Sequence, residues 1–531
     1  MRPAGRGPLD SLYFTYPHFA PPQAPPRADA QVAIVGAGPV GLTAALALAR
    51  HGIASVVFDR KDTFNDGSRA ICIARASMHI LERAGAVAPF LEKALGWTHG
   101  TSFWRGLPVY RLAMPHGPDD KYLPMYNLQQ QHIEQFLWQA AAANPLIELR
   151  WQSEATVIGQ DAAGATLRIA TPAGEAEHRF AWVLAADGAR SALRRLMGLR
   201  LAGANHEGRY VIADIRMAHD HPTERRALFD PPGNPGGTVL IHRQPDDIWR
   251  IDYQLRPGED PDAAVAEAEI RRRVQAILQD IGHDGRWELE WWSIYTANTL
   301  CLDEYRLGRV AFIGDAAHIV PIFGVRGLNN GLADAENIAW KLAYRLRGEA
   351  AEALLDSYTP ERRGATLDVF ANAVPATRFM TPPSRGWALL REAALSLSVR
   401  HGFARGFANP RQMQPYTYAD SPLTLPAEGP GPAPGALAPN LRLDHGHLLD
   451  GAGPGFTLLA FAPVPEGLAA RLRRLDPRLV VLSQPPEGAA AARYGGGACL
   501  LRPDLHIAAR WPAIDADAIM ATLRRILGGG A

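Results

Sequence analysis

A chain of 531 residues is longer than one hydrophobic core supports, because cores stop growing near about 250–300 residues, so two or three domains are expected. Hydrophobic residues at 47% and charged residues at 21% are globular values. The 55 Lys plus Arg against 54 Asp plus Glu, with no long run of one sign, exclude the electrostatic footprint of a nucleic-acid or anionic-lipid binder and point to a small-molecule partner. Residues 1–29 are Pro-rich and aperiodic and read as an arm. The run VAIVGAGPVGLTAALALA at 32–49 is uncharged and nearly long enough to span a bilayer. Its glycines and Pro39 would break such a helix, and no basic segment directly precedes it, so neither a membrane span nor a signal peptide is expected.

That run is instead the start of a strand–helix–strand unit: QVAIVGAG, a helix from about Pro39 to His51, then ASVVFD. Gly36, Gly38 and Gly41 fit GxGxxG between strand and helix, where a backbone must turn tightly and approach a pyrophosphate at free helix N–H groups. Asp59 ends the second strand, where a carboxylate accepts hydrogen bonds from a ribose diol. The motif by itself leaves NAD and FAD open.

From 201 to 300 the texture changes to alternating strands such as TVLIHR, WRIDYQL and WELEWWSIYTA, an antiparallel sheet inserted into an α/β domain. In WRIDYQL, Trp249, Ile251 and Tyr253 share one face, and Arg250, Asp252 and Gln254 share the other. Which face looks at a ligand stays open; His242 and Tyr295 are further polar candidates, and Trp249, Trp291 and Trp292 candidate stacking walls. Then VAFIGD presents Asp315 at the edge of a buried strand. GVRGLNNG opens a helix whose Leu332, Ala335, Ile338, Ala339, Leu342 and Leu346 recur at helical spacing. A helix N-terminus stabilises developing negative charge, which a reduced isoalloxazine carries. Residues 350–415 read as helical, 421–439 as a Pro/Gly linker, and the last ninety residues as a second small α/β unit.

With VLAADGARSALRR at 184–195, these features resemble the single-component FAD-dependent aromatic hydroxylases, typified by para-hydroxybenzoate, phenol and 3-(3-hydroxyphenyl)propionate hydroxylases. The resemblance covers nearly the whole chain. It implies an α/β fold: a Rossmann-like FAD-binding domain over 30–200 and 301–375, a substrate-binding sheet domain at 201–300, a helical connector at 376–420 and a thioredoxin-like domain at 440–531 that lacks CxxC. Gly36, Gly38, Gly41 and Asp59, with the adjacent Arg60, would hold the ADP half of FAD. Asp315 would bind the ribityl chain. Asp187, with Gly188, Ser191 and Arg194, stands where the family serves the pyrophosphate and the nicotinamide cofactor. Arg69 and Gln130 fall at flavin-contacting positions, and Gly327, Leu328 and Asn329 would face the flavin pyrimidine.

The same resemblance implies that NAD(P)H reduces FAD and that O2 adds to give a C4a-hydroperoxide, which attacks an electron-rich ring. A phenol of pKa near ~10 needs roughly 4 kcal/mol of help to ionise at pH 7, so a polar group should meet the substrate oxygen. Arg326, His242 and Tyr253 are the catalytic candidates. Relatives commonly read PPTGGxGxN where this chain has PIFGVRGLN, with Phe323 and Val325 in place of small residues and Arg326 adding a charge. Arg326 either pairs with a nearby acid such as Asp334 or stands beside flavin or substrate. His318 is read as a structural hydrogen-bonding group. A reductase or halogenase of the same fold, or a flavoprotein sensor, are the alternatives; EWWSIY lacks the spaced tryptophans and proline of the halogenase WxWxIP. Cys72, Cys301 and Cys499 show neither CxxC nor metal-ligand spacing, so no metal is expected and a reducing, cytoplasmic location is. The C-terminal unit, with Cys499 alone, is then a packing or homodimer element rather than a thiol exchanger.

Overall fold

The structure is a computed structural model that describes residues 1–321, 324–408, 414–427 and 429–528. The expected departure at Phe323 lies outside the described residues.

Five parallel strands form the central sheet, in the spatial order Val310–Phe312, Trp182–Ala185, Val32–Val35, Ser55–Phe58 and Ile147–Arg150. Arg306–Leu307 adds an antiparallel edge. Val32–Val35, Ser55–Phe58 and Trp182–Ala185 are buried at every position, as continuous apolar runs must be when both faces of a parallel sheet are covered. The helix Pro39–Arg50 carries Pro at its first position, where a missing N–H is harmless, and buries Gly41 through Ala49. It packs beside the long helix Gly327–Leu346, whose apolar positions face the same core.

The second sheet has eight strands in the order His318–Ile319, Glu288–Cys301, Ala202–Arg216, Ile248–Gln254, Thr238–Arg243, Arg225–Phe229, His99–Trp104 and Leu107–Ala113. It therefore recruits strands from outside 201–300, and the junction of Arg225–Phe229 with His99–Trp104 is parallel rather than antiparallel. Val211, Ala213, Val239, Ile241, Trp249, Ile251 and Tyr253 line its far face and pack on Ile270, Val274, Ile277 and Leu278 of the helix Glu267–Asp280. A three-stranded sheet of Cys72–Ala74, Met125–Asn127 and Leu95–Trp97 carries the segment opposite the near face.

In the C-terminal unit, Thr457–Ala460 pairs in parallel with Val480–Ser483 and antiparallel with Ala498–Leu501, which pairs with Ile507–Trp511. Its Phe456, Leu458, Leu500 and Leu523 close on Trp340 and Tyr344 of the long helix. The 421–439 stretch is tied down rather than free, because the N–H groups of Leu425, Gly435 and Ala438 donate to the carbonyls of Ala508, Ile507 and Leu505. The N-terminal arm has no regular element before Val32, yet Phe14 and Tyr16 are buried and Arg2 ion-pairs with Glu290 at 2.6 Å. Among the described residues no helix is long and apolar enough to cross a membrane.

Candidate active site

The Gly-rich turn has the shape its sequence requires. Gly36 has φ +113°, and a Cβ there would sit 2.4 Å from the Ala186 carbonyl oxygen. At Gly41 it would sit 1.9 Å from the Gly36 carbonyl oxygen, so both positions need glycine for the close approach of strand, turn and helix. Gly38 differs, because a Cβ there meets nothing within 4 Å: its open side faces outward from the helix start, where an anion would approach. Asp59 accepts from Ala37 N–H at 2.8 Å and Lys61 N–H at 2.9 Å, which fixes its carboxylate and leaves lone pairs for a diol. Arg60 is exposed and lines, with Lys61 and Pro172, a hollow of about 620 Å3 just beyond it.

Asp315 lies deep within the molecule and yet is open to solvent, which places it in a cleft. Its dense surroundings push the carboxyl pKa up, opposed by His318, Arg69 and Arg194. Two glycines bring this segment onto the upstream turn, since Cβ atoms at Gly314 and Gly331 would stand 3.0 and 2.6 Å from Val40 Cγ2. Arg194 ties in the third fingerprint by donating to the carbonyls of Ala316 at 3.0 Å and Ala189 at 2.7 Å. Asp187 accepts from Leu193 N–H at 3.1 Å through Oδ2, while its Oδ1 is buried without a partner and burial raises its pKa. A polar ligand would supply that partner. The glycine turn, Asp59, Asp187 and Asp315 thus converge, and they fit the elongated, anion-bearing FAD.

Other expected contacts serve the fold. Gln130 Oε1 accepts from the N–H groups of Arg69 and Ala70 at 3.2 and 3.1 Å, and its Nε2 donates to Glu134, so it pins the loop that carries the exposed Arg69. Asn329 accepts from Ala74 N–H and Ser77 Oγ and donates to the carbonyls of Cys72 and Val325. All four of its bonding sites are used, which leaves the half-buried Gly327 and Leu328 as the helix start able to face a flavin. Arg326 is buried at the N-cap of that helix and donates to the Val369 carbonyl; its nearest described acid in electrostatic terms is Asp368. Asp334 is not its partner, because that carboxylate is taken by His318 at 2.6 Å and Arg362 at 2.7 Å. The same contact, from Nε2 to the Asp334 carboxylate, ties His318 into the fold.

The near face of the second sheet looks toward this cleft: Arg250 donates to the carbonyls of Ser68 and Arg69 and ion-pairs with Asp214 at 2.8 Å. Tyr253 is therefore corrected as a candidate, since strand alternation turns it to the far face, where the Arg273 guanidinium lies 5.6 Å over its ring. Trp249 and Trp292 belong to that same far-face core and cannot wall a ligand. His242 is on the near face with both ring nitrogens buried and unpaired, and burial beside Arg225 and Arg250 lowers its pKa to about 3. It is therefore a neutral imidazole at pH 7. Asp252 and Arg225 share this face; the first stands out from the alternation of its strand, whereas Arg225 does not, because its Arg-Arg pair reads in the sequence as an exposed edge.

The FAD binding domain family matches residues 29–373 of the chain. The chain is 30% identical over 467 residues to the 3-(3-hydroxy-phenyl)propionate/3-hydroxycinnamic acid hydroxylase of Klebsiella pneumoniae (strain 342), covering 85% of this chain and 82% of that one. It is 29% identical over 348 residues to the para-nitrophenol 4-monooxygenase of Pseudomonas sp. (strain WBC-3), covering 64% and 83%. The crystal structure of the flavin-dependent monooxygenase PieE in complex with FAD and substrate matches with TM-score 0.79 at 25% identity, over 94% of this chain and 99% of that one. The chain belongs to this FAD-binding family and is a FAD-dependent aromatic monooxygenase.

Proposed function

We propose that the enzyme takes electrons from NAD(P)H and hydroxylates a phenolic compound held between the flavin end of the cleft and the near face of the eight-stranded sheet. Bound FAD supplies the redox chemistry and oxygen activation; the chain must bind it, orient the ring and exclude water. The observation that carries this reading is the convergence of three distant segments, Gly36–Gly41, Asp187–Arg194 and Gly314–Ala316, beneath a buried polar sheet face.

Within that frame Gly38 and the helix start behind it receive the pyrophosphate, Asp59 the ribose and Asp315 the ribityl hydroxyls. Arg69 stands on the loop pinned by Gln130, at the mouth. Arg326 holds the turn before Gly327 through the Val369 carbonyl and so shapes the wall next to the flavin. Asp252 is the group that meets the phenol oxygen: Oδ1 is buried without a partner, and burial, opposed by Arg250, raises its pKa to about 7. A carboxylate with that affinity accepts the ring hydroxyl's proton at Oδ1 near neutral pH.

The C-terminal unit we read as thioredoxin-like, supported by a parallel pair crossed by the helix Leu468–Leu475 and followed by an antiparallel hairpin. Cys499 is buried there with its pKa raised by burial to about 12, which suits packing or homodimer formation rather than exchange. Three unpaired, buried thiols favour a cytoplasmic location.

The test is a screen of phenols, hydroxybenzoates and phenylpropionates for faster NADH or NADPH oxidation, with product mass checked for one added oxygen. A purified protein that neither retains nor takes up FAD sinks the reading. Oxidation of NAD(P)H that no aromatic compound accelerates would favour a sensor instead.

A further inference from the structure

The sheet face over the cleft holds a cation that no described carboxylate pairs with directly, Asp252 acting on it only at a distance. Arg225, the first residue of the strand Arg225–Phe229, is 6% exposed, and Nη2 is buried without a partner. Among the described residues its side chain forms no ion pair or hydrogen bond. Three other buried arginines are each matched by an acid: Arg250 by Asp214, Arg362 by Asp334 and Arg502 by Glu361. A guanidinium taken out of water without an acid is unfavourable unless a ligand completes it. Burial lowers the Arg225 pKa to about 10, which leaves it charged at neutral pH.

Strand register sets Arg225 opposite His242, and His242 opposite Arg250, in one row across the sheet. His242 is buried and both of its ring nitrogens lack partners, so a neutral imidazole N–H is free beside the guanidinium. Asp252 lies on the next strand, opposite Leu240, and is not hydrogen-bonded to Arg225. Arg225 also faces Cys72, whose thiol is buried within the apolar cluster that Val325 joins. The unpartnered cation therefore looks across toward the turn that leads into the flavin end.

We propose that Arg225, assisted by His242, is the anchor for a carboxylate on the aromatic substrate, so that the preferred substrates are phenolic acids rather than neutral phenols. The word substrate rests on the hydroxylase reading above; the anion site rests on Arg225 and His242 alone. The planar fork of Arg matches a carboxylate through two parallel hydrogen bonds, which a neutral isostere cannot form.

The test titrates FAD-loaded enzyme with matched pairs, 3-(3-hydroxyphenyl)propionate and its primary amide, and 3-hydroxybenzoate and its amide, following the flavin absorbance change. At least one acid should bind at least about tenfold more tightly than its amide, as one bidentate charged contact allows. R225M should bring that ratio to about one, and R225K, which keeps a charge without the fork, to an intermediate value. The proposal is overturned if no acid binds more tightly than its amide, or if the ratio persists in R225M. Should R225M not hold FAD, R225K decides, and an unchanged ratio overturns it. Turnover separates the two readings. Acid-selective binding without an oxygenated product removes the hydroxylase reading and leaves the anion site, whereas equal binding and hydroxylation of acids and amides does the reverse.

Discussion

Two regions of this molecule bury charge, and they treat it in opposite ways. Where the C-terminal unit meets the long helix, Glu361 accepts from Lys341 at 2.7 Å, from Arg502 at 2.7 and 3.0 Å and from Asn337 at 2.7 Å. Asp504 completes the set through Arg502 at 2.6 Å and Trp340 Nε1 at 3.1 Å. On the sheet face, Arg225, His242, Asp252 and the Tyr295 hydroxyl have buried polar atoms without partners. The acids respond accordingly. Burial alone would raise Glu361, but Arg502 and Lys341 hold it at about 2; burial raises Asp252 to about 7 against the weaker pull of Arg250. Burial of charge by itself thus marks no function; ionisable groups left without a partner together on the face over the cleft are the stronger signal, because an unmet charge is costly unless a ligand meets it.

The largest effect should come from breaking the closed region. Glu361→Gln leaves Lys341 and Arg502 buried with too little negative charge, and should cost about 3–5 kcal/mol, read as a lower midpoint in urea or heat. A loss below about 1 kcal/mol would mean that the network is not holding the C-terminal unit.

Asp252→Asn tests the open region through pH. Its folded-state pKa near 7 lies above the ordinary 3.8, so the folded chain holds a proton that the unfolded chain releases between those values. Stability therefore falls as pH rises from about 4 to about 7, by at most about 4 kcal/mol, and stays low above that. The groups that set this window are Arg250, Asp214 and Arg225. Urea midpoints at pH 5 and pH 8 should differ less in D252N than in the wild type. Phenol hydroxylation should rise through pH 7 in the wild type and lose that rise in the variant. Parallel midpoint curves for the two proteins would place Asp252 in contact with a partner.

A third change sharpens the contrast from the cofactor side. Gly41→Ala forces a methyl onto the Gly36 carbonyl, an overpacking of about 1–3 kcal/mol, and FAD affinity should fall roughly tenfold to a hundredfold. The ratio of flavin to protein absorbance after gel filtration measures it, and full retention would show that the turn relaxes.

Tyr253→Phe should do least, within about 0.5 kcal/mol of stability, because the hydroxyl it removes is unpaired and on the far face. A loss of hydroxylation greater than tenfold would put Tyr253 back among the catalytic groups.

Local rules made much of the site legible. GxGxxG after a strand, an acid at the next strand's end and an acid after VAFIG state backbone requirements within a few residues; the structure shows the tight turn at Gly36 and Gly41, Asp59 bonded to Ala37 N–H, and Gly314 packed on Val40. Asn329 and Gln130 were legible as important but not in their roles, because their partners, Ala74, Cys72 and Arg69, are remote in sequence. Arg326 shows the same limit: Asp334 is the nearby acid in sequence, but His318 and Arg362 reach it first.

The sequence by itself therefore determined the class of cofactor site, the existence of two α/β units and the alternation of the WRIDYQL strand, since each follows from short-range geometry. Only the tertiary structure decided which face of that strand meets the cleft, and it did so because the helix Glu267–Asp280 covers the face with Tyr253 while Arg250 reaches the 68–69 loop on the other. It also decided which buried charges are matched, because an ion pair is a relation between strands and helices far apart in the chain. Arg225 carries no mark in the sequence that separates it from Arg250; what distinguishes them is that Asp214 lies across the sheet from one and from the other does not.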